Sequence, residues 1–197
     1  MDYAPAEHRP ARARPGAELL PVKILIAGGF GVGKTTLVHA LSEIPPLSTE
    51  QDMTSLSVGI DDAEAVPDKR TTTVAMDFGR ITVDQDMILY LFGTPGQSRF
   101  WFMWDELARG AVGAVVLVDL RRVDDCFAAI DYFENRAVPF VVAVNGFPHA
   151  DEFDDETVRD ALVLKPGCPL VRLDARDPGS SLRALITLAE HSLQHSR

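Results

Sequence analysis

Residues 28–35 constrain the possible folds of this chain more than any other segment. Their sequence, Gly-Gly-Phe-Gly-Val-Gly-Lys-Thr, matches the pattern Gly-x4-Gly-Lys-Ser/Thr. The apolar residues 22–27 precede it and predict a buried strand, and residues 34–42 follow with helical spacing. A strand, a glycine-rich loop and a helix in this order predict a phosphate-binding loop, because this is the context that the motif requires.

The residue types of this loop suit phosphate chemistry. Glycines allow backbone N–H groups to face an anion without a Cβ in the way, and the helix that begins at Gly33 directs its positive end toward that anion. Lys34 would reach the β- and γ-phosphates, and the Thr35 hydroxyl would bind Mg²⁺. The residues predicted to contact the nucleotide here are Gly28, Gly29, Phe30, Gly31, Val32, Gly33, Lys34, Thr35 and Thr36.

Composition excludes several classes of protein. The 197 residues are 46% hydrophobic and 24% charged, which is typical of a globular domain that needs no disulfide framework. The 19 basic and 29 acidic residues give a net charge of −10, which argues against a general nucleic-acid binder and against unaided binding to anionic membranes. The sequence also lacks an apolar stretch of roughly 18 residues, a secretory signal and a lipid-attachment motif, so any recruitment to a membrane would have to come through a partner. Its two cysteines, Cys126 and Cys168, cannot form a disulfide framework, and we therefore expect a reduced, cytoplasmic compartment.

Apolar runs and segments with helical spacing alternate along the rest of the chain. Strands are predicted at residues 22–27, 73–83, 87–92, 114–118, 140–144 and 170–173, and helices at residues 34–42, 98–109, 124–135, 154–164 and 179–192. Residues 1–20 predict a flexible tail and residues 46–70 a long loop. This alternation predicts one α/β domain over residues 21–197, with a mostly parallel sheet and its ligand at the carboxyl ends of the strands.

Three later segments narrow the chemistry. Thr73 follows the long loop and opens a predicted strand, where its hydroxyl could complete the coordination shell of Mg²⁺. In the run Gly-Thr-Pro-Gly-Gln at residues 93–97, the Gly96 N–H could contact a γ-phosphate and Gln97 could orient an attacking water. Asn145 ends the strand at residues 140–144, where a loop that contacts the base would lie.

The order and spacing of these segments resemble those of the Ras-like small GTPases over residues 22–193. The chain is similar to the bacterial MglA-like branch and, more specifically, to the small GTPases of actinomycete conservon operons, which carry similar GGFGVGKTT, TTTVAMDFGRI and LYLFGTPGQ runs. The resemblance implies a P-loop NTPase fold of three α/β/α layers with a six-stranded, mostly parallel sheet. It also implies Mg²⁺-dependent binding of GTP and GDP, slow hydrolysis and a molecular-switch function.

The resemblance also implies roles for single residues. Thr73, or Thr72 by a shift of one position, would be the threonine of the first switch segment, and Gly96 and Gln97 would belong to the second. The residues implied to contact the base are Asn145, Phe147, Asp174, Ala175 and Arg176. Of these, Ala175 would act through its backbone N–H, which would donate to the base oxygen.

Two positions depart from the family pattern. Gly93 stands where the family has an aspartate that supports Mg²⁺, so we expect weaker metal binding. Pro148 stands where the family has the aspartate that accepts two hydrogen bonds from guanine, and the loss of that contact costs about 1.5–3 kcal/mol. We therefore expect faster nucleotide exchange and reduced guanine preference, unless His149 or Asp151 substitutes. The alternative function is a nucleotide-binding scaffold that accepts ATP and hydrolyses little.

Hydrolysis has several candidate residues. Gln97 would position the water, and Lys34 would stabilise charge on the phosphates. Arg70 lies before the first switch threonine and Arg99 lies after Gln97, so either could neutralise charge in the transition state. The alternative for both arginines is an exposed position in a loop.

The second switch segment continues into five large apolar residues, at positions 100–104. A helix presents one face only about every 3.6 residues, so these side chains cannot all reach one core. The resemblance implies a Roadblock/LC7-domain partner, and the residues predicted to contact it are Phe100, Trp101, Phe102 and Trp104. The alternative is packing between this segment and the next helix.

Overall fold

The computed structural model describes residues 20–45, 47–52, 73–84, 86–96, 102–148, 150 and 153–195, with the backbone alone for residues 47–52 and 73–75. Its strands are β1 (Leu20–Gly28), β2 (Leu47–Asp52), β3 (Thr73–Asp84), β4 (Met87–Gly93), β5 (Ala111–Val118), β6 (Phe140–Asn145) and β7 (Leu170–Leu173). They form one sheet in the order β2-β3-β4-β1-β5-β6-β7. Residues 1–19 of the predicted tail and most of the predicted long loop lie outside the described residues, and Leu20, the last residue of the predicted tail, begins β1.

The sheet confirms the predicted fold class. All six predicted strands are present, and β4, β1, β5, β6 and β7 run parallel to one another. A seventh strand, β2, lies at the edge and pairs with β3 in an antiparallel register from Leu47↔Phe78 to Asp52↔Thr73. Residues 47–52 were predicted as loop because only the first of them is apolar, so they carry no strand periodicity. Backbone pairing alone makes them a strand.

The helices are α1 (Lys34–Leu41), α2 (Trp104–Ala108), α3 (Phe127–Asn135), α4 (Asp155–Ala161) and α5 (Pro178–His195). A 3₁₀ segment, Leu120–Cys126, occupies the start of the predicted helix at 124–135, with a kink at Arg122. Helix α4 ends before its predicted limit, and Val163 beyond it has a φ of +51°. Within the part of the chain that the structure describes, no helix has the length and hydropathy needed to cross a membrane.

The core lies on both faces of the sheet, since successive residues of β1 point to opposite sides. Leu25 and Ala27 pack with buried residues of α2, α3 and α4. Ile24 and Ile26 pack with buried residues of α1 and α5 on the other face. The protein therefore has the three α/β/α layers that the sequence predicted. Because β1, β5, β6 and β7 are parallel, the loops that follow them lie side by side at the carboxyl ends of the strands.

Candidate functional site

The glycine-rich loop joins β1 to α1 at the carboxyl ends of the strands. Gly28, Gly31 and Gly33 have φ angles of 131°, 73° and 108°, which lie in the left-handed region that favours glycine. A Cβ at Gly28 would also lie 2.4 Å from the carbonyl oxygen of Leu117 on β5. The glycines are therefore required by the path of the backbone and by its close packing against the neighbouring strand.

Lys34 is the buried charge of the loop. Its Nζ donates hydrogen bonds to the carbonyl oxygens of Gly28, at 3.0 Å, and Gly29, at 2.6 Å. Burial lowers the pKa of Lys34 to about 8, although the Asp77 carboxylate acts in the opposite direction. An ammonium group held in this way, beside a helix N-terminus, can exchange its carbonyl partners for the oxygens of an anion.

Thr35 makes a contact that the sequence analysis did not foresee. Its Oγ1 donates a hydrogen bond of 2.5 Å to Oδ2 of Asp77 on β3. Asp77 pairs across the sheet with Gly93 of β4. The available signal was a charged residue between Met76 and Phe78 in a strand of otherwise alternating character.

Of the predicted switch residues that the structure describes, Gly96 lies at the loop and Thr73 does not. A Cβ at Gly96 would lie 2.7 Å from the Lys34 Nζ and 3.0 Å from the backbone nitrogen of Phe30, so Gly96 packs directly against the loop. Thr73 is the first residue of β3, where its backbone pairs with Asp52. Four residues of strand span about 13 Å, so the structure does not bring Thr73 to the hydroxyl that contacts Asp77.

A cavity of about 170 Å³ opens beside the phosphate loop. Three segments line it: the loop with the start of α1, the residues after β6 and the residues after β7. The lining residues are Gly31, Gly33, Thr36, Asn145, Gly146, Phe147, Pro148, Asp174, Ala175 and Arg176. The structure thus gathers the residues predicted to contact the base, although they lie more than a hundred positions from the loop in sequence.

Asn145 connects these segments. Its Nδ2 donates to the carbonyl oxygen of Val32, and its Oδ1 accepts from the backbone N–H of Ala175, both at 2.9 Å. The side chain is buried. The two groups predicted to contact the base, the Asn145 amide and the Ala175 N–H, are therefore hydrogen-bonded to each other.

The outer walls of the cavity carry paired charges. The Arg176 guanidinium donates to both carboxylate oxygens of Asp174, at 2.8 and 2.7 Å, and these hydrogen bonds lower the pKa of Asp174 to about 2. The Arg121 guanidinium lies 4.0 Å from the centre of the Phe147 ring and donates hydrogen bonds to the Asp119 carboxylate. A planar ligand in the cavity would meet an aromatic ring backed by a cation.

Arg122 is a second residue that the sequence analysis left without a role. Its guanidinium donates a 2.7 Å hydrogen bond to the carbonyl oxygen of Phe30 in the phosphate loop. The same guanidinium lies 3.8 Å from Asp119 and 3.5 Å from Asp125. Arg122 therefore connects the 3₁₀ segment to the phosphate loop at Phe30. Its position four residues after the predicted strand at 114–118 was the only sequence signal.

Trp104 is a correction to the predicted partner surface. Only 3% of the residue is exposed, and its ring packs on Phe133 and Tyr132 at centroid distances of 6.0 and 5.0 Å. Its Nε1 donates to the carbonyl oxygen of Pro95. The alternative of local packing is right for Trp104, because α2 turns this side chain toward α3. Phe102, by contrast, is 55% exposed.

Several predicted residues lie outside the described part of the chain. They are Arg70, Thr72, Gln97, Arg99, Phe100, Trp101, His149 and Asp151. Their predicted roles remain predictions.

Comparison with known proteins places the chain among phosphate-loop proteins. A family model described as "Conserved hypothetical ATP binding protein" matches residues 26–195. An uncharacterized protein of Methanocaldococcus jannaschii is 31% identical over 126 residues, which cover 63% of this chain and 69% of that protein.

Solved structures show the same fold at low sequence identity. The cytosolic domain of the T. maritima FeoB iron transporter, in a GDP form, matches 88% of this chain with a TM-score of 0.62 and 17% identity. This chain spans 64% of that domain. The FeoB G-domain of Methanococcus jannaschii matches with a TM-score of 0.58 and 14% identity, over 88% of this chain and 99% of that domain. The fold is therefore that of a G-domain.

Proposed function

We propose that this chain, which belongs to the family of conserved hypothetical ATP-binding proteins, is a GTP-binding molecular switch. One observation carries the proposal: a glycine-rich loop with left-handed φ angles joins β1 to α1, and the buried Lys34 ammonium lies over it. Phosphates would replace the carbonyl partners of Lys34, and the base would enter the adjacent cavity.

The selectivity of the site for guanine is proposed to be modest. Pro148 has no side-chain acceptor for the guanine edge, and the Ala175 N–H must leave Asn145 before it can donate to a base. Loss of a charge-assisted contact of about 1.5–3 kcal/mol lowers affinity by roughly tenfold to a hundredfold. We expect GTP to remain preferred over ATP by less than about a hundredfold.

These same contacts favour a second candidate function. If the Asn145–Ala175 hydrogen bond persists in the bound state, the cavity offers little that distinguishes guanine from adenine. The protein would then be a nucleotide-binding scaffold that accepts ATP and hydrolyses it slowly or not at all. The description of the family as ATP-binding supports this candidate.

Slow hydrolysis and a switch surface complete the proposal. Gln97 would position the water, Arg70 or Arg99 would neutralise charge, and Thr35 with Thr73 would hold Mg²⁺ once the first switch segment has left its strand. Contact of Gly96 with a γ-phosphate would move the residues that follow it. We further propose that the chain belongs to the MglA-like conservon branch and that residues 21–197 act as a cytoplasmic domain.

The surface that would respond to the nucleotide begins directly after Gly96. Phe100, Trp101 and the exposed Phe102 are proposed to contact a Roadblock/LC7-domain partner. Trp104 is not part of this proposal, because it is buried against α3.

The test of nucleotide binding is Lys34→Ala in the full chain. Calorimetric titration with GTP and Mg²⁺ should give at least a hundredfold weaker binding for this variant, because it lacks the ammonium that neutralises the phosphates. The matched control is Lys165→Ala. Lys165 forms an ion pair with Glu134 and precedes β7, so it lies at the amino ends of the strands, away from the phosphate loop. Equal affinity of the Lys34 variant and the wild type would refute the proposal.

A further inference from the structure

We infer that Asp77 supplies, from β3, the carboxylate that helps to hold the Mg²⁺ of the bound nucleotide, in place of the side chain that is absent at Gly93. The inference rests on the proposed nucleotide binding and goes beyond it by assigning a residue to the metal. It also replaces the expectation that Gly93 leaves the metal without carboxylate support.

The sheet register places Asp77 beside Gly93, where the family's aspartate side chain is absent. Asp77 and Gly93 are direct partners in the antiparallel pair β3–β4, so a side chain on either would occupy the same face of the sheet. A Cβ built on Gly93 would lie 3.1 Å from both Cβ and Oδ2 of Asp77. Glycine at position 93 therefore makes room for the carboxylate that arrives from the neighbouring strand.

The contact with Thr35 puts the Asp77 carboxylate beside the hydroxyl that would bind Mg²⁺. Thr35 is the motif hydroxyl that binds Mg²⁺ in phosphate-loop proteins, and it donates to Asp77 Oδ2 at 2.5 Å. A hydroxyl that donates a hydrogen bond to a carboxylate keeps its lone pairs for a cation. A carboxylate has about four lone-pair sites, so accepting one hydrogen bond leaves capacity for the water molecules that Mg²⁺ retains.

The electrostatics distinguish a metal role from a purely structural one. Asp77 lies close enough to Lys34 to act on its pKa, so it also lies close to the proposed phosphate site. Without a cation, this carboxylate would repel a triphosphate; with Mg²⁺ between them, it would attract the complex. If Asp77 only braced Thr35 by accepting its hydrogen bond, an asparagine in its place could still accept that bond and would leave the Mg²⁺ dependence of binding unchanged.

The experiment compares Asp77→Asn with the wild type in the full chain. Asparagine keeps an oxygen that can accept from Thr35, but it removes the charge. GTP affinity is measured by calorimetry in Mg²⁺ and in EDTA, and the ratio of the two affinities is the readout. We expect the ratio to fall about tenfold in the variant, with unchanged or tighter binding in EDTA. Asp84→Asn, at the far end of β3, is the matched control and should keep the wild-type ratio.

A second variant moves the carboxylate back to the other strand. The double variant Asp77→Gly with Gly93→Asp should restore the wild-type ratio of GTP affinities in Mg²⁺ and in EDTA. When Mn²⁺ replaces Mg²⁺, its electron paramagnetic resonance signal should be that of a bound ion. A ratio that is unchanged in Asp77→Asn would overturn the inference. So would a swapped protein that binds GTP in EDTA but gains nothing from Mg²⁺. Failure of the wild type to bind GTP in either condition would instead refute the proposed function itself.

Discussion

At the scale of single residues, the protonation of Lys34 should depend on whether a nucleotide is bound. Burial lowers the pKa of this group to about 8, and the carbonyl oxygens of Gly28 and Gly29, together with Asp77, partly offset the loss of water. Nucleotide phosphates would add negative charge beside the ammonium and raise its pKa again. The charged form is therefore less favoured in the apo-protein than in an exposed lysine, and more favoured in the complex.

This difference predicts proton uptake on binding. At pH 8 about half of the apo-protein would have a neutral Lys34, so GTP binding should take up roughly half a proton per site. Calorimetry in buffers of different ionisation enthalpy measures this number directly. Uptake should decrease below pH 7, where Lys34 is already protonated. An enthalpy that does not depend on the buffer at pH 8 would contradict the assigned burial of the ammonium.

At the scale of elements, two buried side chains, Trp104 and Leu107, hold α2 against the core. Trp104→Ala removes a buried ring that packs on Phe133 and Tyr132, and we expect a loss of about 3–5 kcal/mol in the free energy of unfolding. Phe102→Ala removes an exposed ring and should change it by less than about 0.5 kcal/mol. Denaturant unfolding followed by circular dichroism measures both. Similar losses in the two variants would contradict the assignment of Trp104 to the core.

The loops after β6 and β7 are joined to the phosphate loop through Asn145. Asn145→Ala leaves the Val32 carbonyl and the Ala175 N–H without this partner, at a cost of about 1–3 kcal/mol each. Because the side chain acts here as a connection between segments, the variant should weaken GTP and ATP binding by similar factors. Asn135→Ala, at the end of α3, is the control. A loss confined to GTP would show instead that Asn145 acts mainly by contacting guanine.

The elements also show what sequence could and could not predict. The phosphate loop and six strands were predictable because each has a local signal, a motif or an apolar run. Strand β2 was not, since its polar residues form a strand only through pairing with β3. The Thr35–Asp77 contact was not predictable either, because it joins residues 42 positions apart. It depends on the register between strands, and the sequence of a single segment does not determine that register. Trp104 was misassigned because its burial depends on the angle of a short helix.

At the scale of the whole molecule, the candidate site exists only when the sheet is assembled. Its parts follow β1, β5, β6 and β7 and meet because these strands are parallel neighbours. A ligand that bridges them must therefore stabilise the native state as a unit. At a free concentration 100 times its Kd, GTP with Mg²⁺ should add about 2.7 kcal/mol to the free energy of unfolding. Thermal unfolding with and without the nucleotide tests this, and Lys34→Ala should show no such shift.

The most direct test of the account is calorimetric titration of the apo-protein, in Mg²⁺, with GTP, GDP, ATP and ADP in turn. We predict saturable binding at one site, with GTP preferred over ATP by less than about a hundredfold, because the phosphate loop supplies most of the affinity and the base cavity lacks a carboxylate at Pro148. Equal affinities for GTP and ATP would favour the scaffold over the switch. The absence of binding by all four nucleotides would contradict the account.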